Sequence, residues 1–190
     1  MHASHAAPRG PTPLQPVVEA VEAANQLDGP ASVVADLARG ALSSPALKGL
    51  LRGDWLGHAL HPVLSDVVVG TLLSTSLLDV LGGDDDRRAR HRLILTALAA
   101  ATPTALTGVS DWSEEESSDD GIRRVGIAHA VANSSALGLY GASMATGRRR
   151  AVALRLCGAM ALGTAAYLGG HLSFVKGAGV ETDAHSLATP

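Results

Sequence analysis

The stretch LILTALAAATPTALTGVS, residues 93–110, carries no charged side chain. Its polar members are threonines, a glycine, a serine and Pro103, and they form no polar stripe at helical spacing. A helix of this length rises about 27 Å, close to the thickness of a bilayer's hydrocarbon core. Three neighbouring stretches share this character. Residues 62–83 are interrupted only by Asp66 and Asp79, residues 125–147 hold His129 as their single histidine, and residues 156–175 have no formal charge. Each is roughly 18–23 residues long, enough to cross a membrane. The expected fold is therefore all-α, a four-helix transmembrane bundle with spans at 62–82, 92–110, 123–146 and 152–175. The bundle fills residues 50–180. Residues 1–49 read as an N-terminal tail, disordered at its start with short helices after it, and residues 181–190 as a C-terminal tail.

Composition agrees. The chain has 190 residues, a single-domain length, with 17% charged, 46% hydrophobic and only 3% aromatic residues. Soluble domains carry about 25% charged residues. A soluble bundle with deeply buried helices is the alternative, but four spanning-length segments leave little charge to solvate its surface. A net charge of -3 gives no basic excess for a nucleic-acid backbone. The lone Cys157 excludes an internal disulfide and every iron–sulfur or zinc-ribbon spacing.

The loops suggest an orientation. Arg87, Arg88, Arg90 and Arg92 in the first loop and Arg148, Arg149, Arg150 and Arg155 in the third outnumber Lys48, Arg52, Arg123, Arg124 and Lys176 on the other side. The positive-inside rule then puts loops one and three in the cytoplasm and both termini outside. Prolines 8, 11, 13, 16, 30 and 45 punctuate the tail, and no apolar run follows Met1, so no cleavable signal is expected. Helices are expected near 16–27 and 32–42, with residues 46–51 in the membrane interface ahead of Trp55.

Several polar residues stand out within or beside the apolar runs. His58 and His61 precede Pro62 at the mouth of span one, with Asp66 just over a turn inside. Span two ends in Gly108, Asp111 and Trp112; Trp112 and Trp55 suit interface anchors. His129, Asn133 and Tyr140 share a face of span three, and Gly163, Tyr167 and His171 form a stripe on span four. Gly138, Gly141, Gly158 and Gly163 suit close packing, and Cys157 reads as a small apolar filler. Connectivity alone brings His58, His61, His129 and His171 to one membrane face, whereas His91 lies at the other. Interhelical hydrogen bonding is the plain role for such groups, and ligation the more specialised one.

The ordered motifs GHALHP (57–62) with Asp66, GVSDW (108–112), RVGIAH (124–129) with Asn133, and GGHL (169–172) resemble a four-span bacterial membrane family, domain of unknown function 2231. Relatives commonly have proline where this chain has Ala59. The resemblance implies the architecture, a location in the bacterial inner membrane, and a redox setting, because some relatives carry or neighbour a Rieske-type domain that this chain lacks. It implies no activity.

Three functions follow as alternatives. One is a redox component binding b-type haem or a metal ion through His58, His61, His129 and His171, supported by Asp66, Asp111, Asn133 and Tyr167. Another is a non-catalytic scaffold or assembly partner for a redox or other membrane protein. The third is a small permease using Asp66 and Asp79. No hydrolase motif or phosphate-cradling loop is present.

Overall fold

The computed structural model describes residues 14–178, and every regular element among them is helical. Three short helices, α1 (Gln15–Glu22), α2 (Asp28–Ala41) and α3 (Pro45–Arg52), precede four long ones. These are α4 (Leu60–Leu81), α5 (Arg87–Glu115), α6 (Asp120–Ser143) and α7 (Arg148–Phe174). Their connections are short, which makes chain neighbours antiparallel. α4 pairs with α5 and α6 with α7, and contacts of α5 with α6 and of α4 with α7 close the bundle.

Local chemistry sets the helix ends. α3 stops at Gly53, whose φ of 91° is left-handed; a side chain there would also strike the His58 carbonyl. Asp119 caps α6 by accepting the Gly121 N–H at 2.6 Å. Pro103 lies inside α5, which continues through it. Around it the Thr104 hydroxyl donates to the Ala100 carbonyl at 2.7 Å and that of Thr107 to the Thr104 carbonyl at 2.8 Å. Thr71, Thr75, Ser76, Ser135, Ser143 and Thr164 bond backwards along their helices in the same way. Each hydroxyl is thereby satisfied without water.

All four long helices contribute to one core of Val68, Leu72, Ile94, Ala97, Ala136, Tyr140 and Leu162. The outer surface is apolar as well. Leu73, Leu77, Leu95, Leu106 and Leu156 are exposed, and Val80 and Met160 are 77% and 75% exposed. Cys157 is also exposed, on α7, so it fills no interior gap.

Three helices, α4, α5 and α7, are long and apolar enough to cross a membrane. They are three of the four expected spans. α6 has the length, but Arg123, Arg124, His129, Asn133, Ser134 and Ser135 dilute its apolar content. It packs against α1, α2, α5 and α7, where Arg123, Arg124 and His129 find partners, whereas Ser134 and Ser135 are exposed.

α1–α3 dock across the end of the bundle where α4 and α6 begin and α5 and α7 finish, burying Val18, Ala31, Ala35, Ala38 and Leu42. The 49/50 boundary falls inside α3. The expected disordered start and the 181–190 tail lie outside the described residues, apart from the first residues of α1.

Candidate functional site

The capped end holds the four histidines, and the structure gives each a different partner. His61, half-buried on α4, donates from Nδ1 to the Thr104 carbonyl of α5 at 2.9 Å, with Thr107 Oγ1 at 3.2 Å. His129 on α6 donates from Nδ1 to the Ala165 carbonyl of α7 at 2.8 Å, and its Nε2 accepts from Asn133 Nδ2 at 3.0 Å. A carbonyl only accepts, so both rings are held as the Nδ1–H tautomer. His171 donates from Nε2 to Glu22 Oε1 of the cap at 2.9 Å. His58 is exposed in the turn before α4. Among the described residues, no three His, Cys, Asp or Glu side chains gather as a metal-binding group. His61 and His129 are near enough to interact electrostatically.

Of the expected supporting residues, Asn133 bonds a candidate ring. Tyr167 packs in the apolar cluster of Val18, Val125 and Leu168 that seats α1. Asp66 is exposed on α4, and Asp111 is half-buried on α5. Trp112 is more than an interface anchor: its indole donates to the Ile122 carbonyl at 3.2 Å and its ring lies over Gly126. Trp55 stays 65% exposed.

Three glycines of the quoted motifs, and Gly158 outside them, receive rings. A side chain at Gly108 would begin 2.6 Å from the His61 ring, and one at Gly169 2.8 Å from the His129 ring. Gly126 takes Trp112, and Gly158 takes Tyr140. Ring-on-glycine contacts therefore join α4 to α5, α5 to α6, and α6 to α7.

Charge fastens the cap to the bundle. Arg124, from the RVGIAH motif, grips Asp28 through Nε and Nη2, both at 2.8 Å, and reaches the Glu22 carbonyl at 2.7 Å. Buried Glu116 accepts from Arg39 and from Arg123, each at 2.7 Å. Lys176 pairs with both Glu22 and Asp119 at 3.1 Å. None of these partners is legible in the sequence.

The resulting pKa shifts predict acid release of the cap. Burial works against charge on Glu22, but hydrogen bonds from His171 and Lys176 outweigh it and hold this carboxyl below its ordinary value. The Arg124 guanidinium holds Asp28 low as well. A lowered carboxyl stabilises the docked state fully above its ordinary value, 4.5 for Glu22 and 3.8 for Asp28, and the gain is lost as pH falls through the lowered ones. Amide exchange in α1 and α2, corrected for intrinsic rates, should therefore accelerate below about pH 4.5 before the bundle loses protection. Equal protection of the cap at pH 7 and pH 3 would refute this.

A second polar cluster, at the opposite end, has no signal in the sequence. Asp79 on α4 takes a two-pronged grip from Arg155 on α7, at 2.5 and 2.6 Å, and both side chains are over nine-tenths buried. Arg155, expected in loop three, is instead two turns inside α7. Arg90 on α5 stands 3.1 Å from Asp79 through an Nε not aligned for a hydrogen bond, while its Nη2 donates to the Leu78 and Gly83 carbonyls. Tyr140, wholly buried, shares a 2.6 Å hydrogen bond with Ser76. The cluster ties α4, α5 and α7 together where the apolar core ends.

No family model, curated protein or solved structure matches this chain.

Proposed function

We propose that this chain is a four-span integral membrane protein acting as a non-catalytic scaffold, with a docked helical cap presented on one membrane face. The observation that carries the reading is the distribution of polarity. The bundle's exterior is apolar between two polar ends, while its inner polar groups are committed to helix–helix bonds. α6 crosses as the fourth span, with His129 turned toward α7 and Arg123 and Arg124 toward the Glu116 end of α5 and the cap, while the Ser135 hydroxyl bonds back along its own helix. The family resemblance of the motifs supports the same architecture and a bacterial inner membrane. The expected result is that the full-length protein stays in the pellet on alkaline carbonate extraction and, purified in detergent, is folded, colourless and free of stoichiometric metal. Release into the soluble fraction would overturn the membrane reading.

One observation favours the redox alternative. His61 and His129 each give Nδ1–H to a carbonyl, which leaves Nε2 as the lone-pair nitrogen, the form in which imidazole binds metals, although in His129 that lone pair accepts from Asn133, a bond that ligation would displace. These two residues fit a two-imidazole ligation better than a three- or four-ligand centre. A Soret band or bound metal that disappears in both His61→Ala and His129→Ala, but not in His91→Ala, would replace the scaffold reading with this one.

A further inference from the structure

We propose that the groove beside the start of α5 holds the headgroup of an anionic phospholipid. The inference rests on the membrane reading above. The open groove, about 690 Å³, is lined by Asp85, Arg87, Arg88, His91, Arg92 and Leu95. At the capped end Arg39, Lys48, Arg123, Arg124 and Lys176 are all paired with carboxylates. In contrast, among the described residues no ion pair engages the exposed Arg87, Arg88 or Arg92. Beneath the groove Asp79 is one carboxylate facing two guanidiniums, those of Arg90 and Arg155, so the interior does not offset the surface charge. The lining itself sets Asp85 against three arginines.

The shape of the site selects a lipid over a free anion. Arg88, Arg92, Leu95, Ala99 and Leu106 follow helical spacing on one exposed face of α5. Along that face guanidinium gives way to largely apolar side chains, with Thr102 among them, and the stretch from Leu95 to Leu106 runs about 17 Å. A phosphodiester among the arginines would lie at headgroup depth, with its acyl chain along Leu95 and Ala99. A basic groove beside a membrane helix is suited to such a headgroup. A second groove at the same end, lined by Gly147, Arg148, Arg149 and Arg150, adds to the positive field.

The test uses the full-length protein in a neutral detergent, titrated with dioleoyl phosphatidylglycerol or dioleoyl phosphatidylcholine while its thermal midpoint is followed by circular dichroism. Phosphatidylglycerol should raise the midpoint saturably, and phosphatidylcholine should not. Arg88→Gln with Arg92→Gln should raise the half-saturating lipid concentration roughly 25-fold, about fivefold for each guanidinium removed. Both side chains are exposed, so the double variant should keep the wild-type midpoint without lipid. Lys48→Gln, at the other end, should titrate like the wild type. Equal stabilisation by the two lipids, or an unchanged titration in the double variant, overturns the proposal while leaving the membrane reading intact. The same shift from inorganic phosphate alone would make the groove an anion site and overturn its assignment to lipid. Failure of the membrane reading would show separately, as a protein soluble without detergent.

Discussion

Asp79→Ala is expected to destabilise the bundle by about 3–5 kcal/mol, the cost of leaving a buried charge without its partner. The carboxylate sits between two guanidiniums. Arg155 is only 9% exposed at its side chain and holds Asp79 with two short bonds; Arg90, 12% exposed, approaches from α5. Without the carboxylate Arg90 keeps its carbonyl acceptors, but among the described residues Arg155 retains only a long 3.5 Å contact to Ser143. Denaturant-induced unfolding in mixed micelles would read the loss. Asp79→Asn should lie between the two, because an amide oxygen still accepts but brings no charge. Asp79→Leu combined with Arg155→Met should recover most of the stability, since replacing a buried pair by apolar groups is often neutral or better. A single alanine variant within about 1 kcal/mol of wild type would show that this cluster is solvated and unimportant to the fold. The same geometry weakens a permease built on Asp66 and Asp79, because one is exposed near the capped end and the other is held by two arginines.

The charge-free runs locate the long helices but not their full extent. Apolar content places the second span over 92–110, whereas α5 runs from Arg87 to Glu115. Arginine, glutamate and alanine continue a helix readily, so the loss of apolar residues marks where hydrocarbon would end and not where hydrogen bonding does. The meeting of the histidines at one end is legible because each antiparallel reversal fixes which helix ends are neighbours: the starts of α4 and α6 and the finish of α7 share one end. Their partners are not. Glu22 lies 149 positions before His171, and Asp28 96 before Arg124, and helical periodicity carries no information about such pairings. Arg155 reads as a loop residue because it follows three arginines. Nothing in its local sequence shows that its guanidinium turns inward to a carboxylate 76 positions away.

The glycines divide in a way that supports the second large effect. Glycine is about 1 kcal/mol worse than alanine inside a helix, so Gly→Ala should stabilise wherever a methyl group has room. Gly138 and Gly163, both expected from sequence to be packing positions, have nothing within 4 Å of where that methyl would stand, and at Gly141 it would meet only Leu98 at an ordinary 3.8 Å. Gly158 is different. A methyl there would lie 2.8 Å from Cδ2 of Tyr140, a ring that is wholly buried and tied through its hydroxyl to Ser76. The ring cannot swing away without breaking that bond or leaving the core, and overpacking of this kind costs about 1–3 kcal/mol. Gly158→Ala should therefore destabilise the bundle by about 1–3 kcal/mol, while Gly138→Ala and Gly163→Ala are neutral or gain up to about 1 kcal/mol. Gly169→Ala should behave like Gly158→Ala, since its methyl would meet the His129 ring at 2.8 Å. Adding His129→Ala separates the causes: it removes the clash, so its own cost should be smaller in the Gly169→Ala background than in the wild type. Equal costs in the two backgrounds would mean that ring and glycine do not touch, and the idea that ring-on-glycine contacts set the helix spacing would fail with them.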